Sequence, residues 1–276
     1  MSGIGVFAQS LERWGLTPDG EPIVTWGAQL LPVLWRERPA MLKVALNQEE
    51  RFGGVLLDWW EGRGAALLYA WDDNAILMER ALGHRSLSEL ARNGRDHEAS
   101  HILCDVIAAL HAPRAKPLPQ GLVSLDVWFR DLWPAAASTQ NGLLARAAQE
   151  ARALLADPQE IVALHGDIHH DNVLDFGERG FLAIDPKRIY GDRAFDYANL
   201  FCNPDVGDHT CKLAVVPEVF ARRLAIVIER SGIARERLLR WIIAWTGLSA
   251  AWFMEDGDSP EVDFRIAELA IAALDG

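Results

Sequence analysis

Short runs in which apolar and polar positions alternate dominate residues 1–80. Alternation of this kind is typical of strands, and short connections between the runs favour antiparallel pairing. A short helix is expected at 7–16, and a second helix, with Asn47 as its N-cap, at 47–60. The pattern predicts a five-stranded sheet from these runs: 21–26, 30–36, 40–46, 65–70 and 75–79.

From residue 81 onward, apolar residues recur every three or four positions, which is the spacing of a helix with one buried face. Ser86 and Glu89 form a capping box that opens the first of these helices. Further helices are predicted at 96–111, 125–132, 143–155, 217–231, 235–255 and 261–274, and another is expected to begin in 191–199. We therefore expect an α+β fold in two parts, residues 1–80 and residues 81–276.

A loop in the second part carries the densest set of chemically useful side chains. Short apolar runs flank the loop and predict a strand before it and a hairpin after it: 161–164, 173–175 and 181–184. A hairpin brings the residue before its first strand opposite the residue after its second, which places Asn172 beside Asp185. Two oxygen ligands facing one gap suit Mg²⁺. Asp167, in the same loop, is then expected to accept the proton of a substrate hydroxyl, so the stretch predicts a phosphoryl-transfer site.

Two other interpretations of this loop are open. Asp and His side chains can cap backbone groups, although a cap needs one carboxylate and not an ordered set. Alternatively, a metal-dependent hydrolase could bind zinc or a dinuclear centre through a cluster of side chains: His165, Asp167, His169, His170 and Asp171. Such sites usually draw further ligands from distant loops, and the remaining histidines form no matching second cluster. Phosphoryl transfer is therefore the preferred interpretation.

The order of these residues resembles a known group of enzymes. Asp167-x4-Asn172 followed by Asp185 resembles the catalytic-loop Asp, its Asn and the metal-binding Asp of the protein-kinase-like fold. The form His165-Gly-Asp-x-His-x-x-Asn172 is similar to the aminoglycoside phosphotransferase family. Further segments resemble its streptomycin 6-phosphotransferase branch, often grouped as aminoglycoside/hydroxyurea antibiotic resistance kinases: 40–45, 185–187 and 191–199.

The resemblance covers roughly residues 16–203 and implies a two-lobed protein-kinase-like fold. An N-terminal lobe with an antiparallel sheet would lie over a mainly helical C-terminal lobe, with ATP between them. The implied cofactors are ATP and Mg²⁺, and the implied metal ligands are Asn172 and Asp185. Asp167 takes the position of the catalytic base. Because Lys43 is present together with these three residues, a non-enzymatic binding module of the same fold is disfavoured.

The resemblance also implies a nucleotide site. Lys43 lies in a run that alternates as a strand, and it is expected to bind the α- and β-phosphates of ATP. Its carboxylate partner is expected on the next helix, where Glu49 lies on the apolar face and is preferred to Glu50 because a buried charge needs a partner. The linker between the lobes would pair with the adenine edge through Glu79 C=O and Ala81 N–H.

Several more residues are candidates for supporting the loop or contacting the acceptor. His165 and Asp196 are expected to support the catalytic loop, although Asp196 could instead be a first-turn carboxylate favoured by the helix dipole. Asp192 is either a helix N-cap or an acid that contacts the acceptor. Glu255 and Asp256 end a long helix, where negative charge opposes the dipole, and they could bind an amine or guanidinium of the substrate.

Composition narrows the class of ligand. The chain has 276 residues, half of them hydrophobic, which is enough for a substantial core. Its 27 basic and 39 acidic residues give a net charge of −12, which argues against nucleic-acid binding and favours a cationic small molecule. Neither a signal sequence nor a membrane span fits the sequence, and the cysteines form no CxxC pair, so we expect a cytoplasmic protein with free thiols.

The combined prediction is an ATP-dependent phosphotransferase that acts on a hydroxyl of a small cationic acceptor. The resemblance implies streptomycin, phosphorylated at its 6-position, as the acceptor in antibiotic resistance. Hydroxyurea or another small metabolite is the alternative acceptor, because kinases of one fold change acceptor through variable loops. The sequence leaves open the oligomeric state and the choice between ATP and GTP.

Overall fold

A computed structural model describes residues 5–25, 27–47, 51, 53–138, 142–206, 210 and 212–276. The fold is α+β, as predicted, with an antiparallel sheet near the N-terminus followed by a mostly helical region. No helix among these residues is long and apolar enough to cross a membrane. We propose residues 1–80 and 81–276 as two lobes, because the last strand of the first sheet ends at Glu79.

The strands are, in chain order, β1 Thr17–Pro18, β2 Ile23–Val24, β3 Ala28–Trp35, β4 Arg38–Ala45, β5 Leu68–Trp71, β6 Ala75–Glu79, β7 Val123–Ser124, β8 Ile161–Leu164, β9 Val173–Asp175, β10 Phe181–Ala183 and β11 Ile189–Asp192. The α-helices are α1 Ala8–Trp14, α2 Gly54–Trp60, α3 Leu87–Leu90, α4 Asp96–His111, α5 Leu125–Trp128, α6 Leu132–Ser138, α7 Gly142–Ala156, α8 Phe195–Ala198, α9 Pro217–Ser231, α10 Arg235–Asp256 and α11 Glu261–Asp275. Ser86 caps α3 by accepting a hydrogen bond from Glu89 N at 3.2 Å, which confirms the predicted cap.

The N-terminal sheet has six strands rather than the predicted five, in the order β1-β3-β4-β6-β5 with β2 also paired to β3. The additional strand is β1, which the sequence did not predict and in which Pro18 pairs with Val33. Proline is tolerated at this place because β1 lies at the edge of the sheet, where a missing N–H costs no ladder hydrogen bond. One face of the sheet packs against α1, with Phe7, Leu31 and Leu42 in the shared core.

Helix α2 begins at Gly54, later than the predicted start at Asn47. Residues 48–50 and 52 of the predicted helix lie outside the described residues, and Gly53 and Gly54 are poor helix formers. Gly54 has a packing reason, because a Cβ at this position would lie 2.7 Å from the Trp71 ring. The glycine therefore lets α2 approach β5 closely.

The helical region is built around α10, which is buried on most of its surface and packs against both α7 and α11. Gly247 allows the contact with α7, since a Cβ there would lie 2.2 Å from Ala147 Cβ. Trp241, fully buried, packs edge-on against Phe195 with ring centroids 5.7 Å apart. The tryptophans of α10 thus belong mainly to the core, in agreement with their helical spacing.

A small sheet in the second part, β7-β11-β8, differs from prediction. The sequence predicts a helix within 191–199 and no strand before it, whereas Ile189–Asp192 is strand β11, antiparallel to β8 and parallel to β7. The helix that follows, α8, is only four residues long. Strand β11 has few apolar residues of its own, so its pairing depends on partners that lie far away in the sequence.

Candidate active site

The catalytic loop runs from His165 to Asn172, between β8 and β9. The chain turns at Gly166, whose φ of 84° is in the left-handed region that favours glycine. A Cβ at Gly166 would lie 2.7 Å from Ile189 Cδ1 and 3.1 Å from Lys187 Cβ. Lys187 N also donates a hydrogen bond to His165 O at 2.7 Å, so Lys187 passes directly beside the start of the loop.

The predicted hairpin is present and brings Asn172 next to the segment that carries Asp185. Strands β9 and β10 are antiparallel with Val173 opposite Ala183, and Ile184 N donates to Asn172 O at 2.9 Å. Asp185 follows directly, with a φ of 62° that residues with a side chain rarely adopt. Such strain often marks functional positions.

Asp185 is surrounded by positive charge from both parts of the chain. Lys43 Nζ, 6% exposed as a residue, donates a hydrogen bond to Asp185 Oδ1, and Lys187 Nζ lies 3.6 Å from Asp185 Oδ2. Burial raises the pKa of Asp185, but the charges of Lys43 and Lys187 outweigh it and lower the pKa to about 2. Asp185 is therefore a carboxylate at neutral pH, as a metal ligand must be.

Asp167 lies among amide and amine donors. Asn172 Nδ2 donates to Asp167 O at 2.8 Å and to Oδ2 at 3.3 Å, and Asn199 Nδ2 donates to Oδ1 at 3.0 Å. Lys187 Nζ lies 4.0 Å from Asp167 Oδ2. Since Asn172 turns its nitrogen toward Asp167, its oxygen is left for another ligand. The amide oxygen of Asn172 and the carboxylate of Asp185 are donors of the kind that Mg²⁺ prefers.

Asp196 connects the loop to the helical region. Its carboxylate accepts hydrogen bonds from His165 N and Gly166 N, both at 2.8 Å, and lies 2.8 Å from His111 Nε2. The carboxylate is fully buried, so its negative charge is balanced mainly by these three partners. The sequence indicated the contact of Asp196 with the loop backbone but missed His111, the last residue of α4.

The histidines of the loop do not form a metal cluster. His165 Nε2 contacts Ile184 O at 2.7 Å, and His170 is buried with no hydrogen-bond partner for either ring nitrogen among the described residues. Burial lowers the pKa of both imidazoles, that of His170 well below its ordinary value, so both are neutral at pH 7. Within the described ranges no group of three or more His, Cys, Asp or Glu side chains could hold a metal ion. The hydrolase interpretation is therefore wrong, because the side chains it needs point to different partners.

The region of the predicted adenine site is apolar. Ala66, Phe176 and Leu182 form a small cluster against which Ala81 packs. A backbone hydrogen bond from Ala66 N to Ala183 O at 2.9 Å joins the two parts of the chain here. A second, from Gly83 N to Asp175 O at 2.9 Å, fixes the start of the second part beside β9. Apolar side chains beside a linker backbone are the kind of surface that a flat aromatic base packs against.

The other residues predicted for the nucleotide site are placed as follows. Glu79 directs its side chain away from the linker backbone, to Arg179 Nη1 and to Leu67 N at 3.2 Å. Its backbone carbonyl stays a prediction as an adenine contact. Glu49 lies outside the described residues, so its pairing with Lys43 also stays a prediction.

Asp192 does not lie in an open site. It is 2% exposed, and its carboxylate accepts hydrogen bonds from Gln159 N, Ala194 N and the guanidinium of Arg237. Burial argues against the prediction that Asp192 contacts the acceptor, because the carboxylate already accepts four hydrogen bonds from the protein. The alternative role as a helix cap is not observed either, because Ala194 is the N-cap of α8 and no described side chain caps that helix; Asp192 accepts only from the N–H of Ala194 itself.

Glu255 and Asp256 are exposed in the last turn of α10. Nearby, Trp252 Nε1 donates to Asp131 Oδ2 at 3.2 Å, and the Trp252 ring packs edge-on against Trp128 at 5.7 Å. Acidic and aromatic side chains thus meet at this end of the helix. A role for Glu255 and Asp256 in acceptor binding stays a prediction.

Comparison with known proteins identifies the family. A family model described as aminoglycoside/hydroxyurea antibiotic resistance kinase matches residues 13–257. The chain belongs to this family. A streptomycin 3''-kinase from Klebsiella pneumoniae is 52% identical over 264 residues, covering 96% of this chain and 98% of the relative. A streptomycin 6-kinase from Streptomyces griseus is 28% identical over 260 residues, covering 91% of this chain and 82% of the relative.

The fold agrees with this membership. A solved structure of a thermostable mutant of aminoglycoside phosphotransferase APH(4)-Ia, in a ternary complex with AMP-PNP and hygromycin B, aligns with a TM-score of 0.65 at 14% sequence identity. The alignment covers 96% of this chain and 98% of that one. The predicted kinase-like fold and kinase family are confirmed. The narrower prediction of the 6-phosphotransferase branch is not supported, because identity is higher to the 3''-kinase.

Proposed function

We propose that this resistance kinase transfers the γ-phosphoryl group of ATP to a hydroxyl of streptomycin. One observation carries the proposal: Asp167, Asn172, Asp185 and Lys43 converge on a single site although Lys43 and Asp185 are 142 residues apart. Phosphoryl transfer needs a proton acceptor, oxygen ligands for a metal and a positive charge near the phosphates. Asp167, the oxygens of Asn172 and Asp185, and Lys43 can supply these in turn. A structural neighbour carries AMP-PNP and hygromycin B, which supports the pairing of a nucleotide with an aminoglycoside.

The chain's own residues supply positioning and charge. Asp167 orients the acceptor hydroxyl and takes its proton as the oxygen attacks the γ-phosphorus and the bond to the bridging oxygen of ADP breaks. Lys43 and Lys187, on either side of Asp185, provide positive charge next to the phosphates. Asn172 and Asp185 would hold Mg²⁺, and bound Mg²⁺ supplies the charge neutralisation that the phosphate oxygens need.

For the position on the acceptor, we propose the 3''-hydroxyl rather than the 6-hydroxyl. The 52% identity to a streptomycin 3''-kinase along nearly the whole chain supports this choice, compared with 28% to a 6-kinase. Streptomycin carries guanidinium groups, and the net charge of −12 favours a cationic ligand. The acidic end of α10 is a candidate contact for such a group.

The test is an assay of ATP consumption by the purified protein with Mg²⁺, with and without streptomycin, followed by mass spectrometry and ³¹P–¹H correlation NMR of the product. We expect a mass gain of one phosphoryl group and a phosphorus coupling to the proton at the 3'' carbon. A phosphorus coupling to the proton at the 6 carbon would contradict the proposed 3'' position but would still support streptomycin as the substrate.

A parallel assay with hydroxyurea and hygromycin B tests the substrate class. Phosphorylation of hydroxyurea alone would contradict the proposal and select the other activity in the family's name. ATP binding without transfer to any of the three would reject aminoglycoside phosphorylation but retain a nucleotide site.

A further inference from the structure

The side chain of Asn199 touches the proposed catalytic base. Asn199 begins a short 3₁₀ turn after α8, is 2% exposed, and donates from Nδ2 to Asp167 Oδ1 at 3.0 Å. The other carboxylate oxygen of Asp167 receives Asn172 Nδ2 at 3.3 Å. Each oxygen of Asp167 therefore has an amide donor, which restricts rotation of the carboxylate.

A second buried amide determines which way Asn199 faces. Asn203 Nδ2 donates to Asn199 Oδ1 at 2.9 Å and to Asn199 O at 3.2 Å. An NH₂ group can only donate, so Asn199 must turn its oxygen toward Asn203 and its nitrogen toward Asp167. The orientation of Asn199 is thus fixed by its neighbour and not only by the carboxylate.

Asn203 is itself held by the core of the helical region. Its backbone carbonyl oxygen accepts a hydrogen bond from Arg223 Nη1 at 2.6 Å. Arg223 Nη1 also donates to Leu200 O at 2.8 Å. Arg223 is completely buried on α9 and forms two hydrogen bonds with Asp96 Oδ1, at 2.6 and 3.0 Å. The hydrogen bonds from Asp167 through Asn199 and Asn203 to Arg223 form a continuous relay. It ends at the buried ion pair of Arg223 with Asp96, which has little freedom to move.

We propose that Asn199 is a positioning residue that aims the Asp167 carboxylate at the acceptor hydroxyl, and that Asn203 selects the amide orientation in which Asn199 can do so. This inference rests on the proposed function, in which Asp167 is the base. The contribution comes from geometry: a base that rotates away from the hydroxyl loses part of the advantage of a preformed site.

The first experiment measures steady-state kinetics of Asn199→Ala, with the exposed Asn74→Ala as the control. We expect kcat to fall by about 10- to 100-fold, as misplacement of a catalytic group does, while both KM values stay within about twofold. Calorimetric affinity for Mg·ADP should be unchanged. A kcat within about threefold of wild type would overturn the proposal, and so would a loss confined to KM and thermal stability, which indicates a purely structural role.

The second experiment tests the orientation of the amide through Asn203. Asn203→Ala removes the donor and should lower kcat moderately, whereas Asn203→Asp offers only acceptor oxygens and should draw Asn199 Nδ2 away from Asp167. The aspartate variant is therefore expected to have the lower kcat, although it is closer in size to asparagine. Equal activity of the two folded variants would contradict the orienting role of Asn203.

Crystal structures of wild type and Asn199→Ala provide a test that does not depend on the acceptor. We expect the Asp167 carboxylate to be rotated in the variant and to keep its place in wild type. An unchanged carboxylate would overturn the relay even if streptomycin proves to be a poor substrate. Absence of any transfer by wild type would instead count against the proposed function.

Discussion

Two sets of charged residues in this protein differ in how deeply their carboxylates are buried. In the buried scaffold, defined here as Asp96, Asp192, Asp196, Arg223 and Arg237, the carboxylates are at most 2% exposed, and each accepts hydrogen bonds from two or more groups. In the catalytic cluster, defined as Lys43, Asp167, Asp185 and Lys187, the carboxylate side chains are 30–36% exposed.

This difference in burial predicts which charged residues contribute mainly to stability and which contribute mainly to catalysis. A buried charge is tolerated when its partners are complete, and removing one partner is costly. A partly exposed charge contributes less to stability and can be reached by a substrate or metal. We therefore expect variants of the catalytic cluster to lose activity with little unfolding, and variants of the scaffold to lose stability first.

The largest effect is expected for Asp167→Ala. Loss of the base should lower kcat by about 10²- to 10⁴-fold, while affinity for Mg·ATP changes only a few-fold, because Asp167 is not expected to bind the nucleotide. Kinetics and calorimetry test this, with the exposed Asp58→Ala as the control. Asp185→Ala should differ by weakening Mg²⁺-dependent nucleotide binding itself. Full turnover by Asp167→Ala would show that another group is the base.

Arg223→Met should destabilise the protein by about 3–5 kcal/mol, because it leaves the buried Asp96 with one distant partner. That partner is Arg222, whose Nη2 lies 3.4 Å from Asp96 Oδ2 and whose side chain is 45% exposed. Arg222→Met is the matched control and should cost less than about 1 kcal/mol. Urea unfolding at pH 7 measures the free energy of unfolding of both variants. Similar decreases in the two would show that burial of the arginine does not determine the cost of removing it.

The pH dependence of stability should depend on Asp263, which is buried in the first turn of α11. Burial raises its pKa from 3.8 to about 7, against hydrogen bonds from Ser249 and Cys202. The folded state then binds more protons than the unfolded state between these pH values. The contribution of Asp263 is thus complete below about pH 4 and is lost as the pH rises through 7, by up to about 1.4 kcal/mol per pH unit.

Asp263→Asn should remove this pH dependence from the free energies of unfolding measured in urea between pH 5 and 8. The contribution of Asp185 to stability changes with pH in the opposite direction. Its lowered pKa stabilises the protein above about pH 4, and the effect is lost as the pH falls toward 2. If the free energy of unfolding has the same pH dependence between pH 5 and 8 in wild type and in Asp263→Asn, the raised pKa of Asp263 is contradicted.

The smallest effect is expected at the exposed end of α10. Replacing Glu255 and Asp256 together by Gln and Asn should raise the KM for streptomycin by about two- to fivefold and leave kcat unchanged, as the loss of exposed ion pairs does. Glu229→Gln, exposed on α9, is the charge-matched control for one substitution. The difference should shrink in high salt. An unchanged KM would remove these residues from the acceptor site.

The sequence predicted an element correctly where the residues that determine its type and its ends are close together in the chain. Strand β9 and helices α4 and α9 have the predicted bounds, and β10 ends one residue earlier than predicted, because hydrophobic period and end signals act over a few residues. Strand β11 was missed because it is stabilised by β7 and β8, which are distant in the chain. Asp192 was left with two roles because Arg237, which occupies its carboxylate, lies 45 residues further on.

The sequence by itself determined the family, the order of the candidate catalytic groups and the pairing of Asn172 with the segment of Asp185, since motifs and hairpins are short-range features. Only the tertiary structure decided that Asn199 faces Asp167, that His111 lies beside Asp196, and that Lys43 reaches Asp185. The physical reason is that polar side chains are paired by their position in space. Folding must bring distant segments together before a buried donor finds its acceptor.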